Sequence, residues 1–169
     1  LAEVSSHDID TIRWLADSEI ETVHAVASNY RCRDRAQEYP DFYDTFVLTC
    51  RFTNGVLGVI EGAVSVGYGY DARTEVLGND GLLCVGDLRA DRVTRFKRDG
   101  DRYTRTVPSW RNLFKDAYRA EAASFVDIVL AGGDPVVTGY DGLQAVRVVN
   151  AGNESIRTVE TVTIESEPM

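Results

Sequence analysis

Three turn signals in the middle of the chain constrain its fold more than any other feature. Thr53-Asn54-Gly55, Asn79-Asp80-Gly81 and Asp99-Gly100 each separate two runs of strand-forming residues. Asn-Gly and Asp-Gly favour tight hairpin turns, whose central positions need positive φ. Before the first turn, residues 42–52 place Phe42, Phe46, Leu48, Cys50 and Phe52 on one face. Tyr43, Thr45, Thr49 and Arg51 lie on the other, with Val47 among them. The return strand covers residues 56–66. The second hairpin pairs residues 73–77 with 82–85, and the third pairs 93–97 with 103–107. Consecutive hairpins imply a largely antiparallel sheet.

Helical patterns flank these hairpins. Ile9, Ile12, Leu15 and Ala16 recur at helical spacing, which predicts a helix over residues 7–17 capped by Ser5 or Ser6. Residues 21–28 read as a strand and the polar stretch 30–41 as a loop. Phe114, Tyr118, Ala122, Phe125 and Val129 form one stripe of a helix over residues 111–131, which stops at Gly132-Gly133. Leu143, Val146 and Val149 mark the inward face of a helix over 141–157, with Asp141 as its N-cap, and residues 161–164 suit a last edge strand. The expected fold class is α+β: a single domain over 1–169 with a largely antiparallel (mixed) open-faced β-sheet and helices packed on one face. Strand 56–66 carries Val56, Ile60, Val64 and Val66 on one side and Leu57, Val59 and Ala63 on the other. Either a second subunit or domain covers the second face, or it is ordinary exposed apolar surface.

Composition excludes several functions. A net charge of −9 argues against binding a phosphate backbone, so no nucleic acid is expected. Arg92, Arg95, Lys97, Arg98, Arg102 and Arg105 are interleaved with aspartates and read as solvated strand faces. No apolar run approaches the ~20 residues that span a bilayer, so no membrane partner is expected. Cys32, Cys50 and Cys84 are odd in number and lack C-x-x-C spacing. They read as free thiols in a reducing, cytoplasmic setting.

Three constellations can carry chemistry. Glu3 precedes His7 by four residues, with Asp8 and Asp10 beside it. A carboxylate can orient an imidazole as a general acid/base; the same residues also suit a helix N-terminus, where acidic groups complement the macrodipole. A metal site from His7, Asp8, Asp10 and His24 is a weak reading, because Asp8 and Asp10 are about 200° apart on a helix of ~3.6 residues per turn. Gly67-Tyr68-Gly69-Tyr70-Asp71-Ala72 matches a dinucleotide fingerprint only superficially, since a strand follows it and not a helix. Tyr68 and Tyr70 there suit either a pocket or a kinked surface strand. Trp110 suits a pocket wall for a sugar ring or simple helix-entry packing.

Taken in order, four segments resemble the C-terminal domain of the Gfo/Idh/MocA family of NAD(P)-dependent oxidoreductases, and its myo-inositol 2-dehydrogenase-like members most. They are His7-Asp8-Ile9-Asp10-Thr11-Ile12-Arg13-Trp14-Leu15; Tyr68-Gly69-Tyr70-Asp71 running into Glu75-Val76-Leu77-Gly78-Asn79-Asp80-Gly81; Trp110 with Phe114 and Ala117-Tyr118; and Phe125-Val126-Asp127 through Gly139-Tyr140-Asp141-Gly142. The resemblance implies that this chain is the substrate-binding and oligomerisation half of a two-domain enzyme. An N-terminal Rossmann domain outside this chain would bind NAD or NADP, leaving no cofactor-binding residue and no metal here. The reaction implied is oxidation of a polyol, cyclitol or sugar hydroxyl to a ketone, with the isolated chain inactive. His7 would be the acid/base, and Glu3 would stand, one methylene longer, where the family has an aspartate. Tyr68, Tyr70 and Trp110 would contact the small polyol or sugar. A homodimer or homotetramer would form through the open sheet face. The alternatives are a non-catalytic carbohydrate-binding or scaffold member of the same fold, and a metal-dependent hydrolase using His7 and the nearby aspartates.

Overall fold

The computed structural model describes residues 1–165, less the side chains of residues 2–4 and 36. In chain order the elements are α1 (Ala2–Ala16), β1 (Ile20–Ser28), α2 (Arg35–Glu38), β2 (Thr45–Phe52), β3 (Leu57–Ala63), β4 (Thr74–Gly78), β5 (Gly81–Val85), β6 (Arg89–Phe96), β7 (Arg102–Thr106), α3 (Trp110–Leu113), α4 (Lys115–Ala131), α5 (Gly139–Thr158) and β8 (Val162–Thr163). The chain divides into two units, Leu1–Ser65 with Val136–Met169, and Val66–Pro135.

In the first unit four antiparallel strands run in the order β3-β2-β1-β8. The turn at Asn54-Gly55 sets the register, with Cys50 opposite both Val23 and Gly58, and Leu48 opposite Ala25 and Ile60. Alternation then sends Val23, Ala25, Leu48, Cys50, Phe52 and Ile60 to one face, where they bury against Ile9 of α1 and Ala145, Val148 and Val149 of α5. Helices therefore cover this face, as expected. Val26, Val47, Leu57 and Val59 lie exposed on the other.

The helices depart from expectation in their phases. The α1 helix includes residues 2–6, so His7 sits in its second turn. Ser5 is not a cap: it is fully enclosed on the inward stripe that runs from Leu1 through Ile9 and Ile12 to Ala16. Thr138 caps α5, with Asp141 completing a capping box from inside the helix. The buried stripe of α5 is Gln144, Ala145, Val148, Val149, Ala151, Gly152 and Ser155, and Leu143 and Val146 face outward. Small residues let this helix approach the sheet: a Cβ on Gly152 would lie 2.6 Å from Leu1 Cδ1 and 3.1 Å from Leu48 Cδ1.

β2 begins at Thr45 rather than Phe42, because Asp44 organises the preceding loop. Its carboxylate accepts the amide N–H groups of Tyr30 (3.0 Å), Arg31 (2.7 Å) and Cys32 (2.7 Å) and the Thr45 hydroxyl (2.9 Å). Together these hold the Asp44 carboxyl down at about 2, the Tyr30 amide contributing most.

The second unit contains two antiparallel hairpins, β4-β5 and β6-β7, which pair separately among the described residues rather than extending one continuous sheet. The helix expected over 111–131 is interrupted. Ser109 caps α3 by accepting the Arg111 N–H, and Phe114 (φ −99, ψ 15) separates α3 from α4. The α4 stripe of Phe125 and Val129 is exposed rather than buried.

Candidate active site

The first unit places a cleft of about 220 Å³ between α1 and the start of α5. Ser6, His7 and Asp10 line it from α1; Val137, Thr138, Asp141, Gly142 and Ala145 line it from the other side. His7 is exposed, so its imidazole is accessible for proton exchange. The His7 backbone carbonyl accepts the Thr11 hydroxyl at 2.8 Å. Glu3 lies four residues earlier in the same helix; its side chain lies outside the described residues, so the expected Glu3–His7 contact does too. Desolvation pushes the neighbouring Asp8 carboxyl up, with His7 pulling weakly the other way.

The wall opposite His7 is built by the capping box. The Thr138 N–H and hydroxyl donate to Asp141 Oδ2 at 2.8 and 2.9 Å, while Thr138 Oγ1 accepts the Tyr140 N–H at 3.2 Å. Those two Thr138 bonds, aided by Arg13, hold the Asp141 carboxyl below its ordinary value.

Arg13 is the site residue that sequence reading missed. Its side chain is 6% exposed. Nε and Nη2 donate to Glu19 at 2.8 and 2.7 Å, and Nη1 donates to Asp10 at 3.1 Å. Nη1 also reaches the Asp141 carbonyl at 3.4 Å, and Nη2 lies 3.6 Å from the Asp141 carboxylate. The available signal was an arginine three residues after Asp10, beside an otherwise apolar stripe.

Tyr68, Tyr70 and Trp110 all fall in the second unit. The Tyr70 N–H donates to the Val107 carbonyl at 2.7 Å, which ties this segment to the exit of β7. The Tyr70 ring meets Phe114 edge-on at 6.1 Å, and Trp110 meets Tyr118 at 5.8 Å. Arg111 lies over the Trp110 ring at 4.4 Å. Tyr68 is half exposed, and its hydroxyl donates to Asp71 at 3.4 Å. The unit thus brings together the rings of Tyr70 and Phe114, and those of Trp110 and Tyr118, about α3 and the start of α4.

The segment over residues 67–72 is not shaped as a dinucleotide cradle. The segment from Gly67 leads into strand β4. A Cβ on Gly69 would meet the Val107 carbonyl at 2.6 Å, so this glycine serves close packing within the protein rather than approach to a pyrophosphate. Among the described residues, no group of three or more His, Cys, Asp or Glu side chains could hold a metal ion.

An antiparallel sheet backed by two helices makes this an α+β domain, and it carries an accessible histidine beside a capped helix start. Residues 1–164 match the C-terminal alpha/beta domain of the Gfo/Idh/MocA oxidoreductase family, and the chain belongs to that family. It is 31% identical over 163 residues to the myo-inositol 2-dehydrogenase of Thermotoga maritima, covering 96% of this chain and 48% of that protein. It is 35% identical over 162 residues to inositol 2-dehydrogenase 2 of Saccharopolyspora erythraea, covering 96% and 46%. A crystal structure of scyllo-inositol dehydrogenase from Lactobacillus casei, with bound NAD(H) and scyllo-inositol, superimposes with a TM-score of 0.87 at 25% identity, covering 96% of this chain and 47% of that one. The chain spans about half the length of the relatives it matches.

Proposed function

We propose that this chain is the substrate-binding and oligomerisation half of an NAD(P)-dependent dehydrogenase that oxidises a hydroxyl of an inositol-like cyclitol, polyol or sugar to a ketone. The observation that carries the reading is the accessible His7 on a helix fixed against the capping box of α5. The inositol dehydrogenases among its relatives support the substrate class.

In this reading His7 takes the hydroxyl proton of the substrate, and Glu3 orients the imidazole. Tyr68, Tyr70 and Trp110 supply hydrogen bonds and a flat ring face to the polyol. A hydride acceptor is also required. In this proposal a dinucleotide-binding domain elsewhere in the intact protein holds NAD or NADP, as the NAD(H)-bound relative suggests for the cofactor class, and this chain alone does not turn over. The exposed sheet face with Val26, Val47, Leu57 and Val59 is the assembly surface for a homodimer or homotetramer. Among the described residues, no helix is long and apolar enough to cross a membrane. We place the protein in the cytoplasm: Cys32, Cys50 and Cys84 are free thiols, the state that a reducing compartment maintains.

The test is to supply the full-length protein with NAD or NADP and a panel of inositols, linear polyols and sugars, following reduced nicotinamide. Turnover of a cyclitol or sugar supports the reading. Polyol binding by calorimetry without turnover would replace it with the non-catalytic carbohydrate-binding alternative.

A further inference from the structure

Two acidic side chains of the cleft, Asp10 on α1 and Asp141 on α5, lie 131 positions apart in the chain yet share one buried cation. Arg13 donates to Asp10 at 3.1 Å, lies 3.6 Å from the Asp141 carboxylate and reaches the Asp141 carbonyl at 3.4 Å. The rest of its fork is held by Glu19, just before β1, at 2.7 and 2.8 Å. With 6% of its side chain exposed, the guanidinium has little water to fall back on. A planar fork can serve three partners in different directions; an ammonium of similar charge acts as a point.

His7 lies six residues, about 1.7 turns, before Arg13 on the same helix. The angle between α1 and the start of α5 therefore sets how far His7 stands from Thr138 and Asp141 across the cleft, and the described Arg13 contacts tie these two helices at the cleft. We infer that Arg13 is a positioning residue: it fixes the cleft geometry for polyol binding without touching the polyol. The inference rests on that part of the proposed function which makes this cleft a polyol site.

Removing the guanidinium leaves Asp10, Glu19 and Asp141 as neighbouring carboxylates without a shared counter-charge. Their repulsion opens the cleft. Displacements of about 1 Å at a substrate site cost on the order of a hundredfold. The charged groups around the network are Asp10 on α1, Glu19 before β1 and Asp141 on α5, and His7 lines the same cleft.

The experiment compares the full-length wild type with Arg13→Lys, Arg13→Met and Asp141→Asn, with kcat normalised to folded enzyme and KM measured for the best polyol. The inference predicts a KM raised about tenfold or more in Arg13→Lys, whose charge is kept but whose fork is lost. Arg13→Met should be worse. Asp141→Asn keeps the Arg13–Glu19 pair and still raises KM, which preserves the test should Arg13→Met fail to fold. A purely structural role would reduce the amount of folded enzyme and leave KM unchanged; unchanged KM in folded Arg13→Lys and Asp141→Asn overturns the inference while leaving the dehydrogenase reading intact. If the wild type binds polyol without turnover, the dehydrogenase reading fails and the same comparison is made on Kd, with the same expected rise. Absence of polyol binding by the wild type overturns both.

Discussion

Ser155 and Ala25 are joined by a hydrogen bond of 2.9 Å, in which the Ser155 hydroxyl accepts the Ala25 N–H. The same hydroxyl donates to the Glu160 carbonyl at 2.6 Å. β8 pairs with β1 only at Thr22 and Val23, so the sheet ladder does not reach Ala25 on this side. Ser155→Ala leaves a buried amide without its partner and should destabilise by about 1–3 kcal/mol. Urea unfolding checks this; a midpoint equal to wild type would contradict it.

The opposite sign is expected at Ser5. Its hydroxyl is fully enclosed and has no hydrogen-bond partner among the described residues. Ser5→Ala removes an unsatisfied polar group and raises helix propensity, so stability should rise by about 1 kcal/mol. Thermal unfolding gives the answer, and a lowered Tm would count against the assignment.

Asp44 makes acid stability predictable. Its folded pKa of about 2 lies below the ~3.9 of an unfolded aspartate. The charged form is favoured by folding, so its contribution is complete above pH ~4 and lost as pH falls toward 2. Asp44→Asn should flatten that part of the stability curve and loosen the loop around Arg31 and Cys32. Amide exchange at Tyr30, Arg31 and Cys32 no faster than in wild type would refute the anchor.

Gly58 stands directly opposite Cys50 on the buried sheet face. A Cβ there would lie 2.7 Å from the Cys50 sulfur and 3.1 Å from the Phe52 ring. Gly58→Ala should cost about 1–3 kcal/mol. Adding Cys50→Ala vacates the nearest clash, so the double variant should be more stable than the sum of the two singles predicts. Strict additivity would show that the two positions do not compete for space.

Much of this architecture is legible before folding, because hairpin turns and period-two alternation are local. Asn54-Gly55 alone sets the facing of Leu48, Cys50 and Phe52. Helix phase is harder to read. Leu143 and Val146 look inward by hydrophobicity, yet α5 turns its small residues to the sheet because closeness of approach outweighs side-chain size. Ser5 looks like a cap for the same kind of reason: its chemistry suits a helix start, but its position is on the inward stripe. Asp44 carries no sequence signal because its main partners are backbone amides; Arg13 has Asp10 and Glu19 close by in sequence, but its tie to Asp141 comes only from the packing of α1 on α5. Tyr70 and Trp110 were legible as candidates, and the structure gives each an aromatic neighbour in the second unit.

The central claim is that His7 handles the substrate proton. The most direct measurement is kcat for cyclitol or sugar oxidation by the full-length protein, wild type against His7→Ala, with folding checked by circular dichroism. Loss of a general base predicts a kcat lower by ~10²-fold or more. A folded His7→Ala enzyme with kcat near wild type would contradict the account.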